Sequence, residues 1–392
     1  MSRKPTLDTQ HGSTLLLAHT RQEHPIVRPS ATRSIIPLTA LAVGLGGPIA
    51  STPSLRAQEA ESADSVTASA ILPLPLFEDD AVLKVTLRTE IDRLRKERST
   101  EEEVDGEITY TDQDGNIVTL PIKVRARGNF RRDAANCNFP PLRLNLPTGR
   151  VEGTVFHGQD KLKLVTPCND RRGTYQEYVL QEYLLYRTLA IMTPYSYRVR
   201  LLEITYEDTA EEYDTRTLHA FLIESGDELA RRTGGRMMEI PQLHPALTDD
   251  GESTFVALFA YMIGNTDWSP AFFHNVDLLQ LPEGRYVTVP YDFDFAGAVN
   301  ARYASPDPSL GIRSVRERVF RGFCRATLEE PASKARFLEA RDSVRGLYDG
   351  FPLLDEGDRK RTLDYFEDFY QTLGDARRYD SRIVERCRRM PD

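Results

Sequence analysis

The sequence predicts an α+β fold in two parts: a β-rich N-lobe at residues 76–224, followed by an α-rich C-lobe at residues 225–390. Two observations lead to this expectation. The chain has 392 residues, which is more than one compact core usually holds. Alternating apolar and polar residues, typical of strands, are frequent in the first part, and long stretches with helical spacing are frequent in the second. A cleft between the two lobes is therefore expected.

The first part is rich in strand patterns. Residues 174–192 contain neither Gly nor Pro and end just before Pro194, so they predict one helix in this part. A polar, glycine-containing stretch at 112–116 predicts the turn of a hairpin. The predicted strands are 81–88, 117–126, 142–146, 161–165, 197–206 and 217–223.

The second part is predicted to be mostly helical, with helices at 253–263, 333–348 and 358–373 and a hairpin at 276–289. In order, the chain offers a strand with lysines, a helix with glutamates, two strands, a connector, a helix, a loop running from Asp to Asn, a hairpin and a final Asp. This is the order of elements in a protein-kinase-like two-lobe fold, and we predict that fold.

The composition is typical of a soluble globular protein. Charged residues make up 28% of the chain and hydrophobic residues 40%, with a formal net charge of −9 at pH 7. A negative net charge disfavours nucleic acid as the main partner, because the phosphate backbone selects basic surfaces.

Residues 1–57 are predicted to be an export signal. The uncharged apolar stretch 35–50 precedes Ala57, a small residue suited to a cleavage site. The polar leader is longer than a normal signal, so we interpret the true start as lying downstream, with Val27 as a candidate. The stretch is short for a membrane span, and an uncleaved anchor is the alternative. The mature chain is therefore expected to be secreted or in the cell envelope, without a stable span, and to begin with a flexible linker at 58–75.

The chain has four cysteines and no CxxC pair, which makes a zinc site improbable. In an oxidising compartment the pairings closest in sequence are Cys137 with Cys168 and Cys324 with Cys387. Buried free thiols are the alternative.

The region 264–297 offers residues suited to phosphoryl transfer. Asp267 is the candidate catalytic residue that orients an acceptor hydroxyl, and Asn275 and Asp292 are candidate oxygen ligands of Mg²⁺. Asp294 is a candidate ligand of a second ion, because it shares a face with Asp292 if this segment is extended. The alternative is structural: Asp267 caps a turn, and Asp292 and Asp294 make ordinary hydrogen bonds.

The first part offers cations for the phosphates of a nucleotide. Lys161 and Lys163 lie on one face of the same predicted strand, and either is a candidate phosphate ligand. Glu182 or Glu177, on the helix that follows, is the candidate ion-pair partner. Solvated strand and helix charges are the alternative for each of these residues.

Two further residues complete the candidate nucleotide site. Arg127 precedes a glycine in an arginine-rich run, which suits close approach to phosphate oxygens. Glu224 lies in the connector, where a nucleotide base would meet the backbone, so we expect its main chain to act rather than its side chain. ATP with Mg²⁺ is the expected cofactor set.

Five segments carry a family resemblance: Arg127-Gly128-Asn129, 141–146, 161–165, the Gly264-Asn265-x-Asp267 loop ending in His274-Asn275, and 290–294. Together they resemble the spore coat protein H (CotH) family of atypical protein kinases, over about residues 80–300. The resemblance implies a secreted or envelope-facing kinase that uses ATP and Mg²⁺ to phosphorylate Ser or Thr of a protein. It implies Asp267 as the catalytic aspartate and Asn275 and Asp292 as metal ligands.

Two alternatives stay open at the level of sequence. The first is an envelope interaction protein without catalytic activity on the same scaffold, because ATP is scarce outside the cytoplasm. The second is a metal-dependent hydrolase in which Asp292 and Asp294 form an acid pair.

Overall fold

A computed structural model describes residues 74–391 of the chain. The predicted export signal at 1–57 lies outside the described residues, as does nearly all of the predicted linker at 58–75. The described residues belong to one compact unit.

Seven strands form a closed barrel in the order β1-β2-β3-β4-β5-β7-β6. Neighbouring strands are antiparallel, except that β1 and β6 are parallel, with Leu83 opposite Leu202. The strands are β1 (Leu83–Thr89), β2 (Val104–Thr111), β3 (Ile117–Ala126), β4 (Leu142–Asn145), β5 (Lys161–Val165), β6 (Val199–Asp208) and β7 (Arg216–Ile223).

The prediction of a two-lobe protein-kinase-like fold is wrong, because the chain forms a closed seven-stranded mixed barrel with helices. Only the general α+β class fits. Residue alternation shows which face of a strand is buried, but it does not show which strands pair. The parallel pairing of β1 with β6, two strands that are distant along the chain, closes the sheet, and no local pattern indicates it.

Seven α-helices, several short 3-10 helices and a three-stranded sheet, ordered β10-β9-β8, complete the described part of the chain. The helices are α1 (Ile91–Glu97), α2 (Thr174–Met192), α3 (Gly226–Thr233), α4 (Asp250–Ile263), α5 (Pro331–Asp349), α6 (Glu356–Gly374) and α7 (Ala376–Arg382). The strands are β8 (Arg236–Met238), β9 (Val276–Gln280) and β10 (Tyr286–Pro290). The predicted bounds of β3, β5 and α2 are confirmed, whereas α1, α3, α7 and β8 were not predicted.

Apolar side chains form two clusters, one among the barrel strands and one among the helices and the β9–β10 hairpin. Phe293 belongs to the second cluster, is fully buried, and packs against Tyr186 of α2 and Phe259 of α4, with ring centroids 4.7 and 5.8 Å apart. Because Phe293 lies between Asp292 and Asp294, this packing fixes the backbone that carries both carboxyl groups.

Helix α4 sets the start of the loop that carries Asp267. Asp249 caps its first turn, accepting a hydrogen bond from the Glu252 backbone N–H at 2.8 Å. The helix ends at Gly264, whose φ of +68° is the left-handed conformation that favours glycine. A Cβ at this position would also overlap the Tyr365 hydroxyl, so glycine is required for two reasons.

Both predicted disulfides, Cys137–Cys168 and Cys324–Cys387, are present. The first joins the segment after β3 to the segment after β5, where the Asn138 N–H also donates to the Cys168 carbonyl at 3.0 Å. Among residues 74–391, no helix is both long and apolar enough to cross a membrane.

Candidate functional site

The loop after α4 brings Asp267, His274 and Asn275 into direct contact. One carboxylate oxygen of Asp267 lies 2.8 Å from His274 Nε2, and the other accepts a hydrogen bond from Asn275 Nδ2 at 3.0 Å. The Asp267 side chain is 41% exposed, so a ligand can still reach it. The structure therefore holds this carboxylate in one orientation and leaves it accessible.

The β9–β10 hairpin places Asn275 near Asp292 in the fold, although they are distant in sequence. Val276 pairs with Pro290, and the Tyr291 backbone N–H donates to the Asn275 carbonyl at 3.0 Å. Asn275 Nδ2 also donates to the main-chain carbonyl of Asp267 at 2.8 Å. Asn275 therefore uses its amide nitrogen for both of its side-chain hydrogen bonds, one to the carboxylate and one to the main-chain carbonyl of Asp267. The amide oxygen is the atom of Asn275 suited to a cation.

Asp292 has a left-handed backbone, with φ +61°. Its N–H donates to the hydroxyl of Tyr186 at 2.8 Å, which helps to hold this uncommon conformation. Non-glycine residues in this region cost free energy and occur often at functional sites. The Asp292 carboxyl lies close enough to that of Asp294 to raise its pKa.

Asp294 is buried among charged and polar groups. It lies 3.6 Å from Arg131 and accepts a hydrogen bond from the Tyr303 hydroxyl at 3.1 Å. Burial and the charge of Asp292 raise the pKa of Asp294 to about 7, although Arg131 opposes this shift. Burial and the charge of Asp294 also raise the pKa of Glu182 well above its usual value. Three acidic side chains therefore share one poorly solvated space.

Glu182 is not paired with either candidate lysine. Its carboxylate lies 3.7 Å from Arg131, and within the described chain it forms no ion pair with Lys161 or Lys163. Glu177, the other candidate, accepts a hydrogen bond from the Asp355 backbone N–H at 3.3 Å. Arg131 lies in the arginine-rich run after β3, so the sequence offered a charged residue there but no indication of its partners.

The two candidate lysines differ in their surroundings. Lys163 is half-buried, and its amino group lies 4.6 Å from the centre of the Tyr291 ring. Burial and the nearby Arg127 lower the pKa of Lys163, and Asp277 and Asp292 oppose this shift. Lys161 is exposed and lies 4.0 Å from Asp160. Lys163 is therefore the lysine that the fold places near Asp292.

Arg127 lies at the end of β3, beside the same acidic group. Burial lowers its pKa, and Asp292 is the nearby charge that most strongly opposes the shift. The Arg127 backbone N–H donates to the Pro141 carbonyl at 2.9 Å, which ties this position to the start of β4. Arg127 and Lys163 thus lie close enough to Asp292 to interact with it electrostatically.

A cleft of about 560 Å³ opens beside Lys163, and we refer to it as the lysine cleft. Glu224 lines the cleft. Its carboxylate accepts a hydrogen bond from Arg232 Nε at 2.8 Å and another from the Arg198 backbone N–H at 3.0 Å. The side chain of Glu224 is thus committed to the protein. Residues on the wall include Arg143, Lys161, Lys163, Glu224, Met237 and Asp277.

The oxygen donors near Asp292 suit a hard divalent cation in type and charge. Within residues 74–391, no three His, Cys, Asp or Glu side chains form a group that could hold a metal ion. The candidate set is instead the carboxyl pair of Asp292 and Asp294 with the amide of Asn275. The raised pKa of Asp294 reflects burial and repulsion by Asp292, and a bound Mg²⁺ would reduce this repulsion.

No protein-family model matches the chain, and no curated protein matches it either. Neither comparison bears on the reaction or the ligand of this site. The resemblance to the spore coat protein H family stays a prediction from the residues that carry it.

Proposed function

We propose that the chain is an exported atypical kinase that transfers the γ-phosphate of ATP to a Ser or Thr of a protein, with Mg²⁺. The observation that carries the proposal is the β9–β10 hairpin, which places the Asp267–Asn275 contact and Asp292 at one end of the same pair of strands. Lys163 and its cleft lie close to this end of the hairpin.

Asp267 is the group that would accept the proton of the acceptor hydroxyl. His274 and Asn275 hold its two carboxylate oxygens, so little reorientation is needed when a substrate binds. Its partial exposure leaves room for that hydroxyl. This role is the one that phosphoryl transfer requires of a loop aspartate.

Lys163 and Arg127 would bind phosphate oxygens, and Asp292, Asp294 and Asn275 would hold the metal. When bound, Mg²⁺ neutralises the charge that develops on the phosphates. Lys163 suits this role because its environment already contains an acidic counter-charge, Asp292, and an aromatic ring, Tyr291. The lysine cleft, at about 560 Å³, lies in the range of small-molecule pockets.

The proposed location is outside the cytoplasm. Two disulfides, together with the absence of a membrane-spanning helix among residues 74–391, are compatible with a secreted or extracytoplasmic protein. A kinase at that location would phosphorylate secreted or envelope proteins, and it would depend on an external supply of ATP.

The direct test uses the purified, disulfide-bonded chain with [γ-³²P]ATP and Mg²⁺. Asp267→Asn should lower phosphate transfer by about 10² to 10⁴, because an acid–base group is lost. Asp114→Asn, an exposed position in the β2–β3 turn, is the matched control and should leave transfer unchanged. Equal labelling by the wild type and Asp267→Asn would refute the catalytic role.

Ligand binding gives a second test that does not depend on turnover. Mg-ATP should raise the midpoint of thermal unfolding of the wild type, because a ligand that binds only the folded state stabilises it. Asp292→Ala should remove the part of the shift that depends on Mg²⁺. An identical Mg²⁺-dependent shift in the variant would exclude Asp292 as a ligand.

A second candidate function is a non-catalytic interaction protein of the cell envelope. It is favoured by Arg131, which already lies within 3.7 Å of both Glu182 and Asp294 and gives the buried carboxyls a counter-charge within the protein. A folded wild type that shows no thermal shift with Mg-ATP would support this candidate against the kinase.

A further inference from the structure

A second cavity, of about 490 Å³, lies beside Asp267, the candidate catalytic residue. We refer to it as the aspartate cavity. Asp267, Trp268 and His274 contribute to its wall, together with Arg321 and Arg388. It shares no lining residue with the lysine cleft. The two openings therefore offer separate places for two substrates.

Long-range contacts position both arginines of the aspartate cavity. The Arg321 guanidinium donates to the main-chain carbonyl of Thr266, the residue before Asp267. The Cys324–Cys387 disulfide brings the C-terminal segment alongside. There Arg388 exchanges backbone hydrogen bonds with Gly322 and Cys324, at 2.8 Å each. The fold therefore builds this pair of cations from two segments that are distant in sequence.

Neither guanidinium group forms an ion pair in the part of the chain that the structure describes, although Asp307 and Asp267 lie close enough to Arg321 to interact with it electrostatically. Arg321 contacts a carbonyl, Arg388 lies 4.9 Å above the Phe323 ring, and neither forms an ion pair. Burial and the proximity of Arg388 lower the pKa of Arg321, and Asp307 and Asp267 oppose this shift. Neighbouring cations of this kind repel each other and favour a bound carboxylate or phosphate.

The acidic groups on the same wall already have other partners. Asp267 contacts His274 and Asn275, and the Asp307 carboxylate accepts the Ser309 backbone N–H at 2.8 Å. The hydrogen bonds of these two carboxylates are therefore made with residues other than Arg321 and Arg388.

We infer that the aspartate cavity receives the acceptor polypeptide, and that Arg321 and Arg388 bind an acidic side chain next to the hydroxyl to be phosphorylated. The inference rests on the proposed phosphoryl transfer, because Asp267 is what makes this the acceptor side. It adds a substrate class: Ser or Thr flanked by Asp or Glu. The two cations would set the register of the peptide by holding its carboxylate.

Fluorescence anisotropy with the full mature chain tests this without requiring turnover. The probes are two labelled short peptides, one with Ser flanked by Asp and one with each Asp replaced by Asn. The acidic peptide should bind at least about tenfold more tightly, and added salt should weaken it selectively. Arg388→Glu should abolish this preference. Arg389→Glu, the adjacent exposed arginine, carries the same charge change and should keep it.

A second variant distinguishes the loss of the Arg388 charge from misfolding of the protein. Arg388→Gln removes the charge without reversing it and should also lose the preference, while circular dichroism and intact disulfides report the fold. A preference below about twofold in the wild type, or one that survives both Arg388 variants, overturns the inference. Selective binding of the acidic peptide without any phosphate transfer would refute the kinase proposal and leave the acidic-peptide site standing.

Discussion

Asp294→Asn should remove a large part of the pH dependence of folding stability. In the folded protein, burial and Asp292 raise the pKa of Asp294 to about 7, whereas an ordinary aspartate has a pKa of 3.8. Between these values the folded protein keeps a proton that the unfolded chain releases. The free energy of unfolding therefore falls as the pH rises from about 4 to about 7, and this contribution is constant above that range.

The magnitude follows from the width of this window. Between pH 5 and pH 8 the difference in protonation of Asp294 persists over about two pH units, and each unit corresponds to about 1.4 kcal/mol. Asp294 alone should therefore contribute a loss of about 3 kcal/mol in the wild type. Asparagine cannot ionise, and its amide oxygen can still accept the hydrogen bond from Tyr303. Asp294→Asn should therefore lose clearly less stability over the same interval.

Urea unfolding at pH 5 and pH 8 measures the difference, with the disulfides intact and EDTA present to exclude divalent cations. Asp114→Asn, in the exposed β2–β3 turn, removes a carboxyl from the surface and should reproduce the wild-type loss. The reasoning fails if Asp294→Asn and the wild type lose the same free energy between the two pH values.

Two further predictions concern stability. The double variant Cys324→Ser/Cys387→Ser opens a loop with a sequence separation of 63 residues and should lower the free energy of unfolding by about 4 kcal/mol; an unchanged urea midpoint would contradict this. Gly264→Ala should cost about 2 to 5 kcal/mol, because the φ of +68° is strained and the new methyl overlaps Tyr365. Gly115→Ala, with positive φ and open space, is its control and should cost only about 1 to 2 kcal/mol; equal losses by urea unfolding would exclude the overlap.

Local features of the sequence predicted the elements well, because side-chain periodicity reports which faces of a helix or strand are buried. The helix at 174–192 and the strand at 161–165 have the predicted bounds. The short helices α1 and α3 were missed, since segments of seven or eight residues carry too few periods to be recognised. The cysteine pairing followed from sequence proximity and is confirmed.

The candidate site was predictable in part. The sequence order of Asp267, Asn275 and Asp292 suggested that they converge, and the hairpin between them provides the physical link. The partner of Glu182 was not predictable, because an ion pair depends on which residues the fold brings within a few ångströms. Arg131 occupies that place, and Lys163 instead contacts the Tyr291 ring.

By itself, then, the sequence determined the local elements, the disulfide pairing and the set of polar residues around Asp267. The tertiary structure decided the closure of the barrel by β1 and β6, the pairing of Arg131 with Glu182, and the position of Arg388 beside Arg321. The reason is physical: periodicity along a chain encodes the buried face of each element. The contacts between distant elements depend on the packing of the whole molecule.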